Sequence, residues 1–142
     1  MEDALLLLKE NIKKSIKSVY DLEIDDIFVE HPEDEKHGDL ATNVAFLLAK
    51  KFFKSPLEIA ENLAHEINGY DICFECDYAN YPIFSSIEAV SPGFINFRFS
   101  DYFLKNQLSE VLKKSDNYGS NKKGQGRVII VEYSAPNPNK PL

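Results

Sequence analysis

Apolar residues recur at helical spacing through the first twenty positions of the chain. The members of this stripe lie three or four residues apart and are Leu5, Leu8, Ile12, Ile16 and Val19. Lysines fall off the stripe, as in an amphipathic helix with one buried and one solvated face. The spacing predicts a helix over about residues 2–20. The apolar residues after it predict a short strand over residues 24–30, which ends before Pro32.

Three more helices are predicted from capping signals and apolar spacing. Asp39 is a good N-cap for a second helix, whose apolar face would be Leu40, Val44, Leu47 and Leu48. A third begins with Ser55 as the cap and Pro56 at its first position, Glu58 completes a capping box, and Gly69 ends the helix. A fourth is expected over residues 101–115, with an inner side made of Phe103, Leu104, Gln107, Leu108, Val111 and Leu112.

Strands are predicted in the segment between the third and fourth helices. Residues 72–78, 87–90 and 94–99 are the candidates, and Ser91-Pro92-Gly93 is the turn that joins the last two. In residues 94–99 side chains alternate between an apolar set and a mixed set. The apolar set is Ile95, Phe97 and Phe99, which we expect in the core, and the mixed set is Phe94, Asn96 and Arg98. The mixed set places an aromatic ring beside an amide and a guanidinium on a face that water can reach.

The order of these elements favours an α+β fold: a small antiparallel sheet packed with about four helices. Strands separated by helix pairs and a hairpin do not give a βαβ array. We therefore predict an N-terminal domain over residues 1–115 and a Gly-rich, basic linker over residues 116–126. Residues 127–142 contain the β-branched run Val128–Val131, which is typical of a fully buried strand.

Composition and charge limit the classes of function that the chain can have. The chain has 142 residues and a net charge of −7, which disfavours tight binding to nucleic acid over most of its surface. The charge is uneven, however, since residues 1–90 carry −11 and residues 91–142 carry +4. The sequence lacks an apolar run of membrane-spanning length and a basic start typical of a signal peptide, so we expect a cytoplasmic protein with no membrane partner.

Two short motifs invite chemical interpretations that we do not adopt. Cys73 and Cys76 form a lone CxxC, but the histidines supply no second pair with zinc-ligand spacing, so we expect two reduced thiols and no metal site. His37-Gly38-Asp39 suggests a catalytic group, but Asp39 as an N-cap preceded by glycine accounts for the pattern.

Three segments in this order resemble arginyl-tRNA synthetase. They are HGDLATNVAF with the SPLEIA helix, then SPGFINF, then VEYSAPNPNKPL. In that family the last pattern runs directly into the His-x-Gly-His signature of class I synthetases. The resemblance implies that this chain is the N-terminal additional domain, followed by the first strand of a Rossmann-like catalytic domain and cut before the catalytic residues. The chain itself would then be inactive and hold no catalytic residue.

The resemblance also implies the substrates of the whole enzyme. Its family joins L-arginine to tRNA(Arg) by means of ATP, with Mg²⁺ accompanying the nucleotide. Glu132, Ser134 and Asn137 match positions of the arginine pocket, and Lys140 matches one close to the ATP phosphates. A carboxylate such as Glu132 suits a guanidinium, because it accepts two parallel N–H bonds. For Glu132 alone, the bland alternative is a strand-end glutamate facing water.

The same resemblance implies tRNA contacts in the N-terminal domain. Phe94 and Asn96 match positions that meet a base of the D-loop; a ring can stack on an unstacked base, and an amide can bond its edge. Ser91 occupies a third contact position, at which some relatives carry a larger amide, and Arg98 on the same face would suit a phosphate. The alternative for Phe94 is a ring packed on a neighbouring helix, and for Arg98 a free surface residue.

Two functions therefore remain open from the sequence. The first is the tRNA-recognition domain of a monomeric arginine–tRNA ligase. The second is a free-standing RNA-binding or protein-interaction module that retains only the domain. A third interpretation is a structural domain whose motif match is chance, and the match of three segments in order disfavours it. The buried strand and site loop at the end of the sequence disfavour the module, so we expect the first.

Overall fold

The computed structural model describes residues 2–70, 72–76, 79–120, 124–128 and 130. Four helices and six strands are formed within these residues. The helices are α1 (Glu2–Tyr20), α2 (Val44–Phe52), α3 (Pro56–Asn68) and α4 (Asp101–Lys114), and the strands are β1 (Val29–Glu30), β2 (Leu40–Thr42), β3 (Cys73–Cys76), β4 (Ala79–Pro82), β5 (Phe84–Val90) and β6 (Phe94–Phe99). Short 3-10 turns occupy Glu35–His37 and Ser115–Asn117. The predicted α+β architecture is confirmed.

The main sheet is antiparallel, with strand order β1-β2-β6-β5. Strand β6 is central, because it pairs with β2 on one side and with β5 on the other through the predicted turn at residues 91–93. A separate two-stranded ribbon joins β3 to β4. Helix α3 packs on β5 and β6 and also contacts α1 and α2. One face of the main sheet is therefore covered by helices.

The core lies between that covered face and the helices. The predicted alternation in β6 is confirmed: Ile95, Phe97 and Phe99 are buried, whereas Phe94 and Asn96 are half-buried and Arg98 is exposed. The helical stripes of α1 and α3 supply the opposite wall, with its fully buried members being Leu8, Ile12, Ile16, Ile59, Leu63 and Ile67. The sequence pattern thus predicted the main inner surfaces correctly.

Asp39 does not cap a helix, contrary to the prediction. Leu40–Thr42 forms β2 instead, and α2 begins only at Val44 with Asn43 before it. The backbone N–H of Asp39 donates to the carbonyl of Phe97, and one of its carboxylate oxygens accepts from the N–H of Phe99 at 2.7 Å. Asp39 therefore prolongs the β2–β6 pairing. Its role is therefore structural. Local spacing did not predict this role, because it depends on the pairing of this segment with β6, a strand distant in sequence.

Other local predictions failed where tertiary partners were lacking. Only Val29–Glu30 of the predicted strand 24–30 pairs, because β2 is three residues long and leads at once into α2. Ser55 does precede α3, but its side chain makes no capping bond, and Glu58 accepts from Lys54 at 2.9 Å instead of completing a capping box. Val19 and Leu47, placed on inner faces by spacing, are exposed.

Helix α4 buries much less than its pattern predicted. Phe103 is its buried residue, packing on Phe99 at a ring-centroid distance of 4.8 Å. Leu104, Leu108 and Leu112 of the predicted inner side are exposed. Helical spacing identifies an apolar face but does not show what lies against it, and here the described contacts of α4 reach Phe99 through Phe103 and Tyr81 through Tyr102.

The β-branched run after the linker is described only in part, so the buried strand expected there stays a prediction. Val128 and Ile130, its two described residues, are 94% and 89% exposed and lie outside any strand. An apolar run is buried only where a partner surface exists, and no described strand lies beside this one. Among the described residues no helix is both long and apolar enough to cross a membrane.

Candidate nucleic-acid interface

The uncovered face of the main sheet carries a row of side chains that crosses all four strands. Glu30 is directly opposite Ala41, Ala41 is opposite Asn96, and Asn96 is opposite Glu88. Residues directly opposite each other on neighbouring strands project from the same face. The row therefore runs from a carboxylate, over a methyl group and an amide, to a second carboxylate.

A cavity of about 300 Å³ opens above this row on the side of β1. Its lining residues come from the β1–β2 segment and from the β5–β6 hairpin, and they are Glu30, Pro32, His37, Ala41, Val90, Ser91, Phe94 and Asn96. Ala41 has a small side chain between two larger neighbours, so it forms a low floor. The cavity is at the small end of the range typical of ligand sites, roughly 300–1,000 Å³.

Phe94 forms an aromatic wall of this cavity. Its ring packs on the ring of Phe46 in α2, with centroids 5.1 Å apart and planes at 66°. That edge-to-face packing fixes the ring, which nevertheless remains half-buried and lines the cavity. Phe94 thus packs on a helix and also presents a surface to the cavity, and its contact with a tRNA base stays a prediction.

Asn96 supplies the polar centre of the face. Its side-chain oxygen is buried and has no hydrogen-bond partner among the described residues. A buried polar atom without a partner is costly, and native structures rarely leave one without a reason. An amide can donate and accept, so Asn96 is suited to bind the edge of a ligand that enters the cavity.

Arg98 is directed away from the cavity and towards the turn at residues 35–37. One nitrogen of its guanidinium lies 3.5 Å from the carbonyl oxygen of Glu35 and 3.4 Å from that of Lys36. A second cavity of about 160 Å³ lies beside it, and His37 and Asn96 line both cavities. In this arrangement Arg98 steadies the turn that brings His37 to the rim.

The first cavity is acidic, and the second carries charges of both signs. Glu30 lines the first cavity, whereas Glu88, Lys36 and Arg98 line the second, and neither carboxylate forms an ion pair within the described part of the chain. A phosphate group would be repelled at the first cavity, whereas a flat, neutral, hydrogen-bonding ring would not. No three potential metal ligands are grouped together among the described residues.

Three of the four predicted tRNA contacts line the same cavity, namely Ser91, Phe94 and Asn96. Arg98 lies next to it. Sequence reasoning missed Glu30 and Ala41 as members of this face, because their position depends on the register of β1 and β2 against β6. The predicted arginine and ATP residues, Glu132, Ser134, Asn137 and Lys140, lie outside the described residues.

Comparison with known proteins agrees with this architecture. A family model described as the arginyl-tRNA synthetase N-terminal domain matches residues 6–99, more than half of the chain. An arginine–tRNA ligase of Aquifex aeolicus is 40% identical over 136 residues, which make up 96% of this chain and 21% of that protein. One from Thermotoga petrophila is 35% identical over 135 residues, 95% of this chain and 22% of the relative.

Solved structures share the fold. Arginyl-tRNA synthetase from Plasmodium falciparum aligns with a TM-score of 0.57 at 20% identity, covering 73% of this chain and 17% of that one. The Thermus thermophilus arginyl-tRNA synthetase aligns with a TM-score of 0.52 at 24% identity, covering 74% of this chain and 15% of that one.

The structure and these matches define a small α+β domain with helices on one face of its sheet and an open, cavity-bearing face on the other. The chain belongs to the family of arginyl-tRNA synthetase N-terminal domains. It spans about a fifth of the length of the curated relatives that it matches.

Proposed function

We propose that the open face of the sheet binds a base of the D-loop of tRNA(Arg). The observation that carries this proposal is the cavity in which a fixed, half-exposed aromatic ring, Phe94, stands beside Asn96, whose buried side-chain oxygen has no partner among the described residues. Single-stranded loops are read by stacking splayed bases on aromatic rings and by bonding their edges. The family to which the chain belongs makes tRNA the natural source of such a base.

The chain is proposed to act as the N-terminal part of a longer arginine–tRNA ligase. That enzyme would attach L-arginine to tRNA(Arg) with ATP and Mg²⁺ and work as a monomer. Glu132, Ser134 and Asn137 would bind the arginine, and Lys140 would lie near the ATP phosphates. Names of the relatives support the activity, and the intact VEYSAPNPNKPL segment supports the residue roles. Residues 1–115 would serve tRNA recognition, residues 116–126 would be the linker, and residues 127–142 would begin the catalytic domain.

The net negative charge of the domain affects how strongly it binds tRNA. Residues 1–90 carry a net charge of −11, and most nucleic-acid affinity comes from contacts of Lys and Arg with phosphates. We infer that the domain helps to position a tRNA that the rest of the enzyme holds, and to discriminate that tRNA from others. A free-standing RNA-binding module would need a basic surface to bind alone.

Two variants of the longer enzyme test the proposed tRNA-binding role and the proposed arginine-binding role separately. Phe94→Ala removes a stacking surface worth about 1–3 kcal/mol, so tRNA(Arg) affinity should fall by roughly 5- to 150-fold while the KM for arginine stays nearly constant. Glu132→Ala should do the reverse, raising the KM for arginine sharply with little change in tRNA affinity. Equilibrium tRNA binding and arginine-dependent activation kinetics measure both.

Phe53→Ala is the matched control for the first variant. This side chain is also a phenylalanine, but it is exposed on the far end of α2 and does not line the cavity. Its loss should leave both measurements unchanged. If Phe94→Ala and Glu132→Ala produced the same small loss in both measurements, neither role assigned here would be correct.

A further inference from the structure

Among the described residues, Glu30 is the one acidic side chain that lines the larger of these two cavities. It stands two strands away from Asn96 across the floor formed by Ala41. Neighbouring strands are about 4.7–4.9 Å apart, so the backbones of Glu30 and Asn96 are roughly 9–10 Å apart. A single flat ring on the floor would have the amide at one edge and the carboxylate at the other.

The carboxylate of Glu30 has its full accepting capacity available. It forms no ion pair or hydrogen bond within the described part of the chain. Arg98, which lines the second cavity, is directed to the carbonyls of Glu35 and Lys36 instead. An ionised carboxylate accepts hydrogen bonds and cannot donate them.

These facts restrict what can lie beside Glu30. A ring carbonyl there would place two acceptors against each other, and the charge of the carboxylate would add to the repulsion. An exocyclic amino group would donate to the carboxylate in a charge-assisted bond, as glutamate does with the amino group of cytosine in other complexes. A site built around such a bond rejects an analogue that lacks the donor.

We propose that Glu30 is a specificity-determining residue, which restricts the cavity to a base carrying an exocyclic amino group and excludes uracil. This inference rests on the proposed function, namely that a tRNA base occupies the cavity. Glu30 sets which base enters, whereas Phe94 provides stacking for any base. The carboxylate also keeps the phosphates of the loop away from the floor, so the base and not the backbone is turned inward.

Matched nucleosides test the inference on the 142-residue chain itself. Cytidine and uridine differ in the group at C4, amino against carbonyl, and in the adjacent ring nitrogen N3, which carries a hydrogen only in uridine. Adenosine and inosine differ in the same way at C6 and N1. Each nucleoside is titrated into isotope-labelled protein, and the amide NMR shifts of Ala41, Phe94 and Asn96 give its Kd. We expect each amino-bearing nucleoside to bind about tenfold more tightly than its carbonyl partner, the loss expected when a hydrogen bond to a charged group is removed.

Glu30→Gln distinguishes this role from general packing. Glutamine keeps the shape but can donate to a carbonyl, so the discrimination should fall to within about twofold while stacking persists. Glu88→Gln is the control, because Glu88 lies at the other end of the row and lines the other cavity. It should leave the tenfold ratio intact.

The possible outcomes distinguish failure of the Glu30 role from failure of base binding by the cavity. If all four nucleosides shift the cavity amides with equal Kd values, or if Glu30→Gln leaves the ratio unchanged, the role of Glu30 is refuted while base binding stands. If none of the four shifts these amides, base binding by the cavity is refuted, and the role of Glu30 is refuted with it.

Discussion

Phe97→Ala is expected to destabilise the domain by about 3–5 kcal/mol, the usual cost of truncating a buried phenylalanine. Phe97 is 0% exposed and lies in the central strand β6, with its ring 5.4 Å from that of Phe84. Domains of this size are stable by only about 5–15 kcal/mol. The variant should therefore lose much of its stability in chemical denaturation followed by circular dichroism.

A matched substitution isolates the effect of burial. Phe53→Ala removes the same atoms from a side chain that is 95% exposed, so its free energy of unfolding should stay within about 0.5 kcal/mol of the parent. Equal losses in the two variants would mean that Phe97 is not in the core. The inner face of β6 would then be wrongly assigned, and with it the outer face that carries Phe94 and Asn96.

Gly38→Ala is also expected to destabilise the domain strongly. Gly38 has a φ of +87°, where side chains are strained, and a Cβ on it would lie 2.7 Å from the carbonyl oxygen of Phe97. The turn at Glu35–His37 would have to move away from β6. Left-handed strain costs about 1–3 kcal/mol, and the clash adds roughly 1–3 kcal/mol of overpacking. Thermal or chemical unfolding would measure the total.

Gly119→Ala provides the comparison for this prediction. Gly119 has a nearly equal φ of +81°, but nothing lies within 4 Å of the Cβ position. The variant shares the backbone strain and lacks the clash. Gly38→Ala should thus be the less stable of the two by about 1–3 kcal/mol. If the two glycines proved equally tolerant, the close approach of the turn to β6 would be refuted.

Much of this fold was predictable because local patterns and the final packing agree. The stripe of α1 and the alternation of β6 each gave the correct buried face. The turn at residues 91–93 was likewise located from its proline and glycine. In each case the side chains that the helix or strand periodicity places on one face are also those buried in the core.

Several of the failures share one cause, since each of these depended on a partner distant in sequence. Asp39 has the chemistry of an N-cap, but its carboxylate accepts a hydrogen bond from the N–H of Phe99, sixty residues away. Leu108 and Leu112 have helical spacing but no surface to cover them among the described residues. A pattern in one segment contains no information about how far the opposing surface extends.

The candidate site was predictable in the same partial way. Phe94 and Asn96 were identified by alternation together with family resemblance, and they line one cavity. Glu30 was not identified, because its two-residue strand reaches the site only through β2. The register of three strands places these side chains together, and that register is a property of the whole sheet.

The most direct test of the central claim is to map tRNA(Arg) onto the domain by amide NMR. At low salt, isotope-labelled chain is titrated with the tRNA(Arg) transcript and with a transcript whose D-loop bases are replaced by abasic sites. We expect weak binding with shifts centred on Ala41, Phe94 and Asn96, and loss of those shifts with the abasic transcript. Shifts confined to other surfaces, the same shifts with both transcripts, or nanomolar binding in ordinary salt would contradict it.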